Sequence, residues 1–277
     1  MSASEVKCFV HYLPLMIGDL IPTNNNHWIF FLILLQIIDF LMKPKYSYDE
    51  LHVLNNLVRL HHAKYIKLYG KLKPKHHFLV HYVTAIKKCG PLKFLWNMRF
   101  EAKHQESKRY LNNINSRINT PHSLAIKSGI KFSKFLLDHE QFFESPLSFR
   151  KLNIIDLTKE TYFSKIIQDT NINYNKVQIV TDVKFNSILY KINYYLAAMD
   201  MELKIFQIKN FVYHNERIHV LCIPVKIKKF CTHFQSYEID IKQEMICVKD
   251  ISFFNSPPFH LYSINNGKTY ARIQYLS

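Results

Sequence analysis

The sequence predicts an α+β protein in which a helical half precedes a β-rich half. Up to about residue 145, apolar residues recur at helical spacing between capping signals, and the texture changes after Ser145-Pro146. From Val177 onward, β-branched and aromatic residues form short runs separated by Asn, Pro and Gly. The expected organisation is a helical domain over 1–145, a linker with one or two weak elements over 146–176 and a small β-rich domain over 177–277.

The segment His27–Met42 is expected to form a buried central helix. It is apolar on all sides, it follows Asn residues that can cap it, and Lys43-Pro44 stops it. A helix of this kind is either buried or spans a membrane. Its apolar run of 15 residues is interrupted by Gln36 and Asp39 and is shorter than the roughly 20 residues that a span needs. We therefore expect no contact with a membrane.

A second long helix is expected over Ser47–Leu68. Ser47 and Glu50 form a capping box at its start, and Gly70 ends it. His61 and His62 lie near its end and are expected to be exposed, where cations suit the helix dipole. The apolar stripe of this helix consists of Leu51, Leu54, Leu57, Val58, Tyr65 and Leu68.

Four more helices complete the predicted helical domain. One covers Met1–Leu13, and Pro14 should weaken its end. Another starts at Pro74, and two follow over Lys93–Asn112 and from His122 to about Phe142. The residues expected to face inward are Val6, Val10 and Leu13 in the first, and Phe78, Tyr82 and Ile86 in the one that starts at Pro74.

The β-rich half contains seven runs that are typical of short strands. Five to seven short strands over about 100 residues suggest a small, twisted, antiparallel barrel. The runs are VQIVTDVKF, ILYKINYYLA, LKIFQIKNFVY, RIHVLCIPVKI, SYEIDI, EMICVKDI and TYARIQYL.

The composition points to a polyanionic partner. There are 37 Lys and Arg against 21 Asp and Glu, which gives a net charge of +16 and a pI near 9.5. This balance favours nucleic acid first and an anionic membrane surface second. An AT-rich coding sequence, which enriches Lys, Asn, Ile, Phe and Tyr, is the alternative source of the excess. With five glycines and no GxGxxG or GxxxxGK[ST] motif, a Rossmann or P-loop protein is excluded.

The five cysteines argue against a disulfide scaffold. They are odd in number and widely spaced, and none belongs to a CxxC motif. The N-terminal residues do not resemble a signal peptide. Reduced thiols in a cytosolic or nuclear protein are therefore expected.

The stretch Pro74–Lys108 concentrates the residues that could carry chemistry. His77 and His81 stand four apart, so on a helix they share one face and could bind one Zn²⁺ together with two further ligands. The alternative is that both histidines only form hydrogen bonds on the helix surface or in the core. Glu101 could hold Mg²⁺ beside DNA phosphates, or it could be an ordinary ion-pair partner of Lys108.

These residues carry a resemblance to a known family. The run KPKHHFLVHY…IKKCGPL…WNMRFEAKH resembles the C-terminal part of CACTA-type (EnSpm-like) transposases of the invertebrate type. The upstream HYLPLMIGDLIP…HWIFFLILLQIIDF and the downstream NNINSRINTPHSLA are similar to the same family, so the resemblance covers roughly residues 8–140. Residues 177–277 more weakly resemble the β-rich tail that often follows in such proteins.

The resemblance implies the C-terminal part of an RNase H-like DDE transposase core with its helical insertion. It also implies that His77 and His81 are two ligands of a zinc site completed by a CxxC, and that Glu101 is the third catalytic acid, which holds a divalent metal. The CxxC and the two catalytic aspartates are absent from this sequence, and Asp19 and Asp39 lie in the helical insertion and do not replace the aspartates. Because two-metal catalysis needs several carboxylates, no activity is expected from this chain alone.

The expected function is therefore that of a transposase-derived, catalytically inactive nucleic-acid-binding protein in the nucleus. Its phosphate contacts would be strongly salt-dependent and weakly sequence-specific. Two alternatives stay open: a structural or interaction remnant without DNA affinity, and half of a transposase completed by missing N-terminal sequence or by another transposase chain. The residues expected to contact DNA are Lys75, Lys87, Lys88, Lys93, Arg99, Lys103, His104, Lys108 and Arg109.

Overall fold

A computed structural model shows six helices followed by twelve strands within the residues that it describes. Those residues are 3–115, 118–137, 147–149, 152–155, 177–180, 182–185, 188–214, 217–241, 245–265 and 267–273. The helices are α1 (Ala3–Ile17), α2 (Asn26–Leu41), α3 (Tyr48–Tyr69), α4 (Pro74–Cys89), α5 (Met98–Asn113) and α6 (Thr120–Leu137). The strands are β1 (Leu147–Phe149), β2 (Leu152–Ile155), β3 (Val177–Val180), β4 (Asp182–Phe185), β5 (Ile188–Lys191), β6 (Tyr195–Met199), β7 (Leu203–His214), β8 (Arg217–Cys231), β9 (Ser236–Asp240), β10 (Cys247–Asp250), β11 (Leu261–Ser263) and β12 (Thr269–Ala271).

Local capping signals set several helix ends as predicted. The Asn25 side chain accepts hydrogen bonds from the backbone N–H of His27 and Trp28, at 2.9 and 3.0 Å, and so starts α2. Ser47 and Glu50 form the expected capping box at the start of α3. These bonds satisfy backbone donors that a helix leaves free at its first turn.

The predicted C-terminal end of α1 and the predicted start of α5 were wrong. Pro14 lies inside α1, which continues to Ile17, and His11, Pro14 and Leu15 are buried there while Val6 is 44% exposed. The stabilisation from burying this face is larger than the cost of the backbone hydrogen bond that proline cannot make. A 3₁₀ turn over Leu92–Leu95 precedes α5, so the helix starts at Met98 rather than Lys93. The expected end of α6, residues 138–142, lies outside the described residues.

The first helical core lies where α2, α3 and α4 meet. The burial of α2 is confirmed, and no helix among the described residues is long and apolar enough to cross a membrane. Ile86 of α4 joins this core as expected, but Phe78 was wrongly expected to face inward and is 60% exposed. The buried residues of this core are Ile33, Ile37, Leu51, Leu54, Val58 and Ile86.

The strands form a curled antiparallel half-barrel beside a smaller sheet. The larger sheet runs in the order β11-β12-β9-β8-β7-β3-β2, with β10 also paired to β8 and β6 to β7, and the smaller sheet is β1-β4-β5. The mixed helical and antiparallel architecture is thus confirmed. Strands β1 and β2 lie inside the stretch predicted as a linker, and β11 was not predicted. The division into two domains remains a prediction.

The long hairpin of β7 and β8 carries the centre of the β-rich core. Its two strands pair from Ile205↔Val225 to His214↔Arg217, with a register shift between Ile208 and Asn210. Opposite residues of an antiparallel pair point to the same side of the sheet, so their apolar side chains gather on one face. The fully buried side chains in this hairpin include Phe211, Ile208, Val220 and Cys222.

The helical half packs against the hairpin of β8 and β9 and against β12. An ideal Cβ at Gly18 would lie 2.8 Å from the Phe234 ring, so only glycine fits at this position. The carbonyl oxygen of Gly18 also accepts a 2.7 Å hydrogen bond from Nε2 of His233. A shared apolar cluster joins the halves and contains Leu15, Phe234, Ile264 and Tyr270.

Candidate nucleic-acid interface

The positive charge of the chain is concentrated in one segment. Residues 64–137 contain 16 of the 37 Lys and Arg but only two of the 21 acids, Glu101 and Glu106. The rest of the chain is almost balanced, with 21 basic and 19 acidic residues. The segment covers the end of α3 and all of α4, α5 and α6. We refer to residues 64–137 as the basic helical region.

Most lysines and arginines predicted to contact DNA are exposed in this region. Lys93 is half-buried, and the side chains of Arg99 and Lys103 lie outside the described residues. Lys87 contacts Tyr48: its Nζ lies 3.5 Å from the Tyr48 hydroxyl and 4.8 Å from the centre of that ring. The exposed members are Lys75, Lys87, Lys88, His104, Lys108 and Arg109.

Contacts between α5 and α6 engage one of the two acids of the region. Lys131 of α6 forms an ion pair with Glu106 of α5, and Nζ of Lys127 lies 3.6 Å from the centre of the Tyr110 ring. None of the described α6 side chains is buried. The exposed apolar residues of α6 are Ile126, Ile130, Phe132, Phe135, Leu136 and Leu137.

The structure brings His77 and His81 together, as their spacing predicts. Their Nε2 atoms lie 2.8 Å apart on the exposed side of α4, so one imidazole donates a hydrogen bond to the other. Glu101 is exposed in the first turn of α5. Among the described residues, no group of three or more His, Cys, Asp or Glu side chains could hold a metal ion. The predicted zinc and magnesium roles therefore remain predictions.

A second histidine cluster, between α3 and α4, was missed by sequence analysis. The prediction that His61 is exposed was wrong: it is 2% exposed and stacks on Phe30, with 4.7 Å between the ring centres. The rings of His61, His62 and His76 form a triangle with sides of 5.6 to 5.7 Å between centres. The signal was present in the sequence, because His61 continues the helical spacing of Leu54 and Val58 on the buried face.

Burial favours the neutral form of His61 and His62. The pKa of His61 is lowered to about 4, first by burial and then by the neighbouring His62 and His76. The pKa of His62 is also lowered, again chiefly by burial. Nδ1 of His61 and Nε2 of His62 are buried and have no hydrogen-bond partner among the described residues. A second proton on either ring, and the positive charge that comes with it, would therefore be poorly solvated.

A buried polar network crosses the junction of the two halves. Arg272 of the β-rich half forms an ion pair with Asp39 of α2 and donates to the carbonyl oxygen of Gln235. The other carboxylate oxygen of Asp39 lies 3.3 Å from Nδ1 of His11. Burial lowers the pKa of His11, and the hydrogen bond to Asp39 opposes this effect. Asp39, which interrupts the apolar run of α2, thus connects the two halves.

A cleft of about 250 Å³ opens beside this network, between α1 and α2. Trp96 closes one side of it, and Nζ of Lys7 lies 4.7 Å from the centre of the indole ring. The volume is below the roughly 300 Å³ at which sites for drug-sized ligands begin, so we assign no ligand to it. Its apolar walls are Val6, Val10, Leu35, Ile38 and Met42.

Comparison of this chain with protein-family models, with curated proteins and with solved structures finds no match. What the structure defines is therefore a class: a mixed helical and antiparallel protein with a basic helical region. The transposase ancestry rests on the sequence resemblance alone.

Proposed function

We propose that this chain is a transposase-derived, catalytically inactive protein that binds nucleic acid through the basic helical region. In this proposal the helical half descends from the C-terminal part of an RNase H-like transposase core, and the protein acts in the nucleus. Glu101 is then the remnant of the third catalytic acid, and His77 and His81 are the remnant of a zinc-binding pair.

The observation that carries the proposal is the uneven distribution of charge. An AT-rich coding sequence would enrich lysine along the whole chain, but residues outside 64–137 are nearly neutral. Within this region, 16 basic residues face two acids, and one of those acids is already paired with Lys131. The lysines and arginines of a segment with so much uncompensated charge repel one another, and a polyanion attracts them.

The binding mode follows from the side chains available. Exposed lysines offer point charges on flexible stems, which suit phosphates but do not read base edges. Each phosphate that a lysine neutralises releases condensed counterions, so the affinity should fall steeply as salt rises. Among the described residues, the exposed Glu101 belongs to no group of three or more His, Cys, Asp or Glu side chains that could hold a metal ion. Strand cleavage is therefore not part of the proposal.

The test is binding of duplex DNA from low to moderate salt by two variants with the same charge. One carries Lys75→Ala, Lys88→Ala and Lys108→Ala in the basic helical region; the other carries the same change at three exposed lysines of β8, Lys226, Lys228 and Lys229. If the first three lysines contact phosphates, the slope of log affinity against log salt should decrease by about 3, and affinity should fall at least about tenfold.

The β8 variant is the matched control because it loses the same three charges. It should keep nearly all of the affinity and the salt slope. Equal losses in both variants would contradict binding through the basic helical region. Absence of DNA affinity at low salt in the unmodified protein would support the alternative of a structural or interaction remnant.

A further inference from the structure

Two cysteines lie directly opposite each other in the larger sheet. Cys222 of β8 pairs with Cys247 of β10 in the antiparallel register, and their Sγ atoms are 3.6 Å apart. Cys222 is fully buried and Cys247 is half-buried at the edge of the same core cluster. The other cysteines are elsewhere: Cys8 in α1, Cys89 in α4 and Cys231 at the far end of β8.

We propose that Cys222 and Cys247 form a reversible disulfide when the protein meets hydrogen peroxide, and that the bond clamps β10 onto β8. Directly opposite residues in an antiparallel pair have Cα atoms about 4.5 to 5.5 Å apart, which lies within the range that disulfides span. The sulfurs are already in van der Waals contact. Closing the bond to about 2.05 Å requires side-chain rotation and small local shifts rather than a change of register.

The two sulfurs have different environments, which assigns them different roles. The hydrogen bond from the Cys222 thiol, together with the charge of Lys249, lowers the pKa of Cys247 to about 7 despite partial burial. The same contact and deeper burial raise the pKa of Cys222. Cys247 is therefore the thiolate that reacts first, and Cys222 is the resolving thiol.

The reaction balances with peroxide as the only oxidant. The Cys247 thiolate attacks one peroxide oxygen, the O–O bond breaks, and a sulfenic acid forms while the departing hydroxide takes a proton to become water. The Cys222 sulfur then loses its proton and attacks the sulfenic sulfur, which releases the second water. Two thiols lose two electrons in total, and one peroxide becomes two waters. A dithiol reductant reverses the bond.

Residues 251–256, which follow β10, form a strap that covers the β-rich core. The disulfide would fix the end of this strap that lies next to β10. After β10 the chain turns at Ile251, which is buried in the core, and Phe254 packs edge-on against Phe206. The strap then crosses to β6, where the backbone N–H of Ala197 donates to Oγ of Ser256 at 2.7 Å. The far end is thus held by hydrogen bonds, and the disulfide would hold the near end covalently.

The test uses the full chain treated with a small excess of hydrogen peroxide, after which the remaining thiols are alkylated and the protein is digested. Mass spectrometry should find a linked pair of peptides containing Cys222 and Cys247, and the count of free thiols should fall from five to three. Amide exchange in β10 should slow at least about tenfold on oxidation and recover with a dithiol reductant.

Three variants separate the proposed pair from general cysteine oxidation. Cys247→Ser and Cys222→Ser should each abolish the linkage and the slowing of exchange, whereas Cys89→Ser, at an exposed position, should leave both unchanged. Cys247→Ser replaces the half-buried partner, so it keeps the test valid if the core variant Cys222→Ser folds poorly. Oxidation of Cys247 to sulfinic acid without linkage, or linkage to Cys8 or Cys89 instead, would overturn the proposal.

Discussion

The helices α4 to α6 and the strands β7 and β8 use apolar residues in opposite ways. Ile86 is the one buried side chain that the described residues of α4 provide, and those of α6 provide none. In β8 alone, Ile218, Val220 and Leu221 are buried beside Cys222. The β-rich half therefore derives its stability from burial, whereas the basic helical region leaves its surface open for contact with other molecules.

Charge follows the same division. The basic helical region, which has the least burial, contains 16 basic and two acidic residues, whereas residues 177–277 contain 12 basic and eight acidic residues. This coupling is physically expected, because lysines on a shared face repel one another and resist close packing. A surface that is poorly packed and strongly charged is consistent with a role in binding, and the packed half with a role as its support.

The sharpest contrast is expected from the same substitution made in each region. Phe211→Ala in β7 removes a fully buried ring and should lower the free energy of unfolding by about 4 kcal/mol. Phe132→Ala in α6, where the ring is 60% exposed, should change it by about 0.5 kcal/mol or less. Urea unfolding of both variants measures the difference. Equal losses would show that α6 is buried against something in solution.

The junction between the halves should give the next largest effect. Asp39→Asn keeps the size of the side chain but leaves Arg272, which is 4% exposed, without its charged partner. A loss of about 3 kcal/mol in unfolding free energy is expected, because an unpaired buried charge is costly. Asp19→Asn is the control, since Asp19 is exposed and also reaches the β-rich half, through Asn265. A loss no larger than that of the control would mean that the halves do not depend on this network.

The smallest expected effect is a dependence of stability on pH from His61. Its pKa in the folded protein is about 4, below the unfolded value of 6.5. Between these values the unfolded chain binds a proton that the folded protein does not, so stability present above pH 6.5 is lost as pH falls towards 4. At pH 5.5, one unit below the unfolded value, the loss is about 1.4 kcal/mol.

His61→Phe preserves a ring against Phe30 and removes the titration, so the variant should lose less stability over this interval than the unmodified protein. His52→Phe, at an exposed position of the same helix, is the matched control and should leave the pH profile unchanged. Chemical unfolding at pH 7, 5.5 and 4 measures both. A profile for His61→Phe identical to that of the unmodified protein would show that His61 accepts a proton in the fold without cost.

Features that depend on neighbouring residues were predicted well. Ser47 with Glu50, Asn25 and Pro74 each mark a helix start that the structure confirms, because caps act over three or four residues. The runs of β-branched and aromatic residues also placed most strands of the β-rich half. The proximity of His77 and His81 follows directly from helical spacing, whereas their exposure was left open.

Features that depend on partners far along the chain were not predicted. Phe78 is exposed and His61 is buried because the packing of α2, α3 and α4 decides which face of each helix is covered. Strands β1 and β2 were expected only as weak elements of a linker, because such short segments become strands only through pairing with β4 and β3.

The sequence by itself determined where α2, α3 and α4 begin, which half would be β-rich and where the charge lies, since these depend on local spacing and composition. Only the tertiary structure decided that Asp39 meets Arg272, 233 residues away, and that Cys222 faces Cys247. The physical reason is that such pairs depend on helix packing and strand register, and a shift of one residue in register would turn a strand's side chains to the other face.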